Sequence, residues 1–105
     1  MKRGNLFEGI PEDLPDELAE VLASGSGDLR VERIVSRGHA SAPGFWYDQA
    51  SHEFVVLIQG KARLTFEDHT VELTPGDYLT INPHQKHRVA WTDPDQPTLW
   101  LAMHY

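Results

Sequence analysis

Residues 53–91, EFVVLIQGKARLTFEDHTVELTPGDYLTINPHQKHRVAW, decide the fold. Their apolar positions recur with a period of two, the mark of strands whose successive side chains point to opposite faces. The run KARLTF alternates cleanly, with Ala62, Leu64 and Phe66 on the inner side and Lys61, Arg63 and Thr65 outside. EFVVLIQ is apolar on both parities, so both of its faces require cover. Gln59-Gly60, Glu67-Asp68-His69 and Thr74-Pro75-Gly76-Asp77 supply the turns, the last with strong Pro-Gly chemistry. Glu53 shares its parity with Val55 and Leu57, and His87 shares its own with Val89 and Trp91, while Arg88 and Thr92 fall on the other side. A carboxylate and an imidazole thus each stand among interior residues. Ionised groups are costly to bury unpaired, so each requires a partner, a proton or a metal.

Working outward, the strand pattern continues in both directions. After KHRVAWT and the loop DPDQP, TLWLAMHY is apolar enough to be a fully buried strand. Before Glu53, LRVERIVS reads as a strand of mixed faces, RGHASAPG as a small-residue loop, and FWYDQ as a short aromatic strand. Many short strands separated by Pro/Gly turns predict an antiparallel sandwich or barrel. The front of the chain reads differently. Residues 1–10 form an irregular lead-in, and in PEDLPDELAEVLASGSG the residues Leu14, Leu18, Val21 and Leu22 fall at i, i+4, i+7 and i+8. That spacing predicts a short amphipathic helix, with acids in its first turn and Gly25 and Gly27 ending it. Its expected role is a lid on the barrel or on a second subunit. The expected architecture is one all-β domain, with residues 1–28 as lead-in and helix and 29–105 as the barrel.

The chain has 105 residues, no cysteine and a net charge of −7. One domain with a real core fits that length. The acidic balance, with basic residues few and scattered, argues against a nucleic-acid partner. Without cysteine there is no disulfide, thiolate metal site or cysteine nucleophile, so any metal must take histidine, carboxylate and water. The opening MKRGNLFEG lacks the apolar core of a signal peptide, and no apolar run approaches membrane-spanning length. A cytoplasmic protein is the expectation. No nucleophile elbow, phosphate-cradling glycine loop or H-E-x-x-H helix occurs.

Two segments resemble a known pattern. Residues 53–60, an acid followed seven positions later by a turn glycine, resemble the second half of the first cupin motif. PGDYLTINPHQKH, residues 75–87, resembles the second cupin motif, in which a PGD turn leads through a strand and a Pro-containing loop to a histidine. The resemblance covers about two-thirds of the chain, and it implies a small double-sheet jelly-roll barrel, often dimeric. It also implies a divalent metal held by three histidines and a glutamate. Glu53 matches that glutamate and His87 the second-motif histidine. The H-x-H pair that should precede Glu53 is missing: those slots hold Tyr47 and Gln49, or Trp46 and Asp48 if the gap is one longer.

His84, where cupins usually have a loop glycine, and His52, beside Glu53, are the possible substitutes. Glu53, His84 and His87 with waters would suit Zn²⁺, Fe²⁺ or Ni²⁺ by ligand type. The competing expectation is that Glu53 and His87 bond each other or Tyr47 in a dry polar network, or serve as a metal-free acid–base pair. His39, His69 and His104 read as structural or solvated. Tyr47, Gln49 and Trp91, with Trp46 and Trp100, are candidates to line a pocket. The functional expectation is a homodimeric barrel binding a small molecule, with or without a divalent metal. A small metal-dependent oxygenase or isomerase and a structural barrel with a decayed site stand as the alternatives.

Overall fold

A computed structural model describes residues 1–105. It contains eight strands: β1 (Leu18–Ser24), β2 (Arg30–Ser36), β3 (Glu53–Gln59), β4 (Ala62–Phe66), β5 (Thr70–Leu73), β6 (Tyr78–Ile81), β7 (His87–Thr92) and β8 (Thr98–His104). They form a five-stranded antiparallel sheet in the order β1-β2-β8-β3-β6 and a three-stranded antiparallel sheet in the order β5-β4-β7. The sheets face each other across a core of Val55, Leu57, Ala62, Leu64, Phe66, Leu73, Ile81, Trp100 and Ala102. The inward alternation read for residues 61–66 is observed, with Ala62, Leu64 and Phe66 all buried. No helix in the structure is long and apolar enough to cross a membrane.

Gly60 holds the tight turn between the sheets. Its φ is 94°, and a Cβ there would lie 2.7 Å from the Cα of Thr98, so neither the backbone conformation nor the space admits a side chain. In the turn before β6, the Asp77 carboxylate accepts the Thr74 amide at 2.8 Å, which closes the predicted Pro-Gly turn.

Three expectations are corrected. The N-terminal helix is absent; residues 18–24 are β1, an edge strand paired along most of its length with β2. Leu18, Glu20 and Leu22 are half-buried and their neighbours exposed, a period-two pattern that accommodates Leu18 and Leu22 of the spacing read as helical and leaves Val21 outside. The pairing partner decides the outcome: Arg33, on the outward face of β2, is 6% exposed and reaches Glu20 as well as the carbonyls of Leu6 and Glu8. A helix would forfeit this arrangement, in which tertiary pairing overrides a weak local preference.

FWYDQ is not a strand either; only Tyr47 forms a bridge, exchanging backbone hydrogen bonds with His87 at 2.7 and 3.2 Å. Finally, β7 is irregular. Val89 pairs with Leu64 but Trp91 with Arg63, so Ala90 is an extra residue and parity reverses beyond it. Trp91 therefore turns outward, beside the Arg63 guanidinium at 5.7 Å, and Thr92 turns inward to complete burial. On the outer face of β3, Phe54, Val56 and Ile58 are only half-buried, and Tyr78 and Met103 lie exposed beside Phe54.

Candidate functional site

Strand register places the site. Arg30, His104, Glu53 and Ile81 stand side by side across β2, β8, β3 and β6, all on the inner face. One step deeper come Glu32, Ala102 and Val55, and then Ile34, Trp100 and Leu57. The inner surface thus passes from polar to apolar along the strands. The facing wall adds His87, Val89 and Leu64 from the smaller sheet and Tyr47 and Gln49 from the preceding loop. Between the walls lies a cavity of about 380 Å³, which Glu17 and Ala19 border on the β1 side.

Two histidine–carboxylate pairs face it. His87 is 5% exposed, and its Nδ1 lies 2.9 Å from the carbonyl oxygen of Gln85. A carbonyl only accepts, so Nδ1 carries the proton and Nε2 is directed at Glu53 Oε1, 3.5 Å away. A neutral ring would present its lone pair to that carboxylate, which favours a second proton. Burial by itself would depress the affinity of His87 for that proton. The Glu53 carboxylate at the limit of hydrogen-bond distance, the Gln85 carbonyl and the Glu53 charge together outweigh it, and the net pKa is raised above 6.5. Tyr47 stacks on the His87 ring at 5.3 Å, and Gln49 Nε2 donates to Glu53 Oε1 at 3.3 Å.

In the second pair, His104 Nε2 lies 2.8 Å from Glu32 Oε1, the oxygen that also accepts Arg30 Nε at 3.1 Å. The other ring nitrogen, Nδ1, is buried with no partner. Glu17 completes the acidic lining, its Oε2 accepting the Ser36 hydroxyl at 2.7 Å, and Ser36 in turn accepts Trp100 Nε1 at 3.2 Å.

Of the residues proposed from sequence, Glu53, His87, Tyr47 and Gln49 are brought together on the cavity wall, and His84, His52 and Trp91 are not. His84 Nδ1 sits 2.7 Å from Asp48 Oδ1, and its backbone amide donates to the carbonyl of Gln49. Its φ of 59° is the left-handed conformation that glycine adopts freely, in keeping with the glycine cupins usually carry there. It latches the 82–87 loop to the 47–49 segment. His52, which alternation aims away from the interior, stacks on Tyr105 at 5.1 Å.

No group of three or more histidine, aspartate or glutamate side chains is placed to hold a metal ion. The set Glu53, His84, His87, with His52 in reserve, is therefore not assembled. The slots of the H-x-H pair hold a phenol and an amide, and the amide of Gln49 donates to the very carboxylate a metal would require. The residues present do not fit a protein-held divalent cation.

Arg30, Glu32, Glu17 and His104 were not legible as site residues. Both parities of β8 are apolar, which hid the direction of His104, and Arg30 and Glu32 look like a solvated strand face.

The comparisons with known proteins agree with this architecture. A sequence model of the cupin domain matches residues 31–104. A solved structure from Ralstonia eutropha JMP134, provisionally named a mannose-6-phosphate isomerase, is 44% identical with a TM-score of 0.94, over 99% of this chain and 97% of that one. A cupin superfamily protein from Desulfitobacterium hafniense DCB-2 is 18% identical with a TM-score of 0.72, over 90% of this chain and 83% of that one. A cupin protein from Bacteroides fragilis is 21% identical with a TM-score of 0.66, over 90% and 81% respectively. Among curated proteins none matches. Sequence match and barrel together establish that the chain belongs to the cupin family.

Proposed function

We propose that the barrel interior binds a small molecule and that Glu53 and His87 are its proton-handling pair. One observation carries this reading: a cavity of about 380 Å³, apolar at depth and polar toward one end, with the buried His87 imidazole directed at the Glu53 carboxylate. Cavities of that size hold small ligands, and a few converging polar groups fix their orientation. A histidine of raised proton affinity beside a carboxylate can donate a proton as the carboxylate accepts one.

A second reading, isomerisation of a sugar, is favoured by the 44% identity to the provisionally named Ralstonia isomerase. Such a reaction moves a proton between adjacent carbons and another between their oxygens, and an imidazole and a carboxylate can perform both transfers without a metal. The test is proton exchange. Mannose and mannose 6-phosphate are incubated with the protein in D₂O, and loss of the C2 proton is followed by NMR. Loss in the wild type, reduced about 100-fold or more in Glu53→Gln, is the expected result for an isomerase. Exchange at equal rates in both proteins would remove Glu53 from the reading. No exchange in either would leave binding alone, to be read from His87 ring resonances.

A further inference from the structure

Three carboxylates, those of Glu17, Glu32 and Glu53, line the cavity against one guanidinium, that of Arg30. Several donors on the wall are committed to the protein itself, while the two terminal nitrogens of Arg30 meet no protein acceptor. Arg30 and His104 both donate to Glu32 Oε1, Gln49 donates to Glu53 Oε1, and the Trp100–Ser36 relay ends on Glu17 Oε2. Each carboxylate is thereby left with one oxygen that no protein donor meets: Glu17 Oε1, Glu32 Oε2 and Glu53 Oε2.

His104 adds an independent observation. It is 5% exposed and belongs to the same wall, and its Nδ1 has no partner. Nε2 carries the proton that Glu32 accepts, so in the neutral ring Nδ1 is another bare acceptor. Even with both histidines protonated, the lining holds no excess of positive charge. The phenol of Tyr47 feels the same field: its pKa is raised by burial and then by the charges of Glu17, Glu53 and Glu32.

From this geometry we infer that the cavity takes non-anionic, donor-rich small molecules, of the polyol or amino-polyol class, and rejects phosphate monoesters. A phosphate group brings negative charge to a wall on which three carboxylates already stand against one guanidinium, and unpaired like charges discriminate strongly against a ligand. Hydroxyl and ammonium groups can meet the open carboxylate oxygens, while Val55, Leu64 and Ile81 receive the carbon face. The inference rests on the reading of the barrel interior as a small-molecule site. It separates this chain from the phosphorylated sugar in the name of its Ralstonia neighbour.

The test uses matched triplets of small polyols, each scaffold offered as the neutral polyol, the amine and the phosphate monoester; mannose, mannosamine and mannose 6-phosphate form one triplet. Binding is read by calorimetry and placed by shifts of the His87 and His104 ring resonances. The expected result is that the amine and neutral forms bind about tenfold or more tightly than the phosphate ester, and that Glu32→Gln narrows the gap. A phosphate ester that binds as tightly as its neutral partner, with both rings shifted, would overturn the inference and leave the small-molecule reading standing. Triplets that shift neither ring in any charge form would overturn both.

Discussion

The two histidine–carboxylate pairs of the cavity use the same residue types and are built differently. On one wall, His87 is held from behind by the Gln85 carbonyl and faces Glu53 at 3.5 Å, with no permanent cation listening in. On the other, Glu32 is gripped at 2.8 Å by His104 and at 3.1 Å by Arg30, and the far nitrogen of His104 is left bare. In the first pair the carboxylate's only cationic partner is titratable, so its charge governs a proton. In the second, a guanidinium that never titrates already neutralises the carboxylate, so Glu32 serves to fix an arrangement. Two similar pairs can thus divide between proton chemistry and positioning according to what stands behind each.

The largest effect that would sharpen this contrast is on stability. Glu32→Ala strands Arg30 and the 5%-exposed His104 together, and it should cost about 2 kcal/mol, reduced from the full buried-pair penalty because Arg30 is partly in water. Glu53→Ala should cost about 1 kcal/mol, since His87 can relinquish its proton once the carboxylate is gone. Urea unfolding at neutral pH measures both. Equal costs would erase the distinction between a positioning pair and a proton-handling pair.

The next effect is a pH dependence at the first pair. The folded-state pKa of His87 is raised above 6.5, so the folded state holds this proton more tightly than the unfolded chain does. The stabilisation is fully present below the unfolded value of about 6.5 and is lost as pH rises through the folded value. Wild-type unfolding midpoints should therefore fall across that window by an amount that Glu53→Gln reduces, on the order of 1 kcal/mol or less. A wild-type pH profile that Glu53→Gln leaves unchanged would show that Glu53 does not hold the proton. The His87 ring resonance, followed directly, gives the same answer free of other titrating groups.

How far the sequence discloses this contrast depends on parity. The inner positions of Glu53, Val55 and Leu57 follow from alternation, because β3 is regular up to Leu57; the register shift comes after it. His87 and Val89 follow likewise, but the extra residue at Ala90 reverses Trp91 and Thr92, and nothing in HRVAWT announces a bulge. The second pair was hidden for another reason. His104 lies in a strand apolar on both faces, where alternation carries no direction, and Arg30 and Glu32 owe their inward placement to pairing with residues far along the chain. Leu18 and Leu22 fit a helical and a strand pattern alike, Val21 only the helical one, and Arg33 on the neighbouring strand decides between them. Local pattern was enough where strands are regular and one-sided, and it failed where long-range pairing chose between two acceptable local structures.

The smallest effect concerns one of the histidines that join neither pair. His84 occupies a left-handed backbone position, φ 59°, and its ring is bound to Asp48 outside the cavity. Replacing it by glycine relieves the backbone conformation and removes one exposed ring contact, two opposing changes that should leave stability within about 0.5 kcal/mol of the wild type. Ligand-induced shifts of His87 and His104 should persist in His84→Gly. If instead the variant lost ligand binding while remaining folded, the 82–87 loop would have to bring His84 over the cavity when a ligand is present. The contrast between the two pairs would then need a third participant. Persistence of both ring shifts would confine the chemistry to the walls on which Glu53 and Glu32 stand.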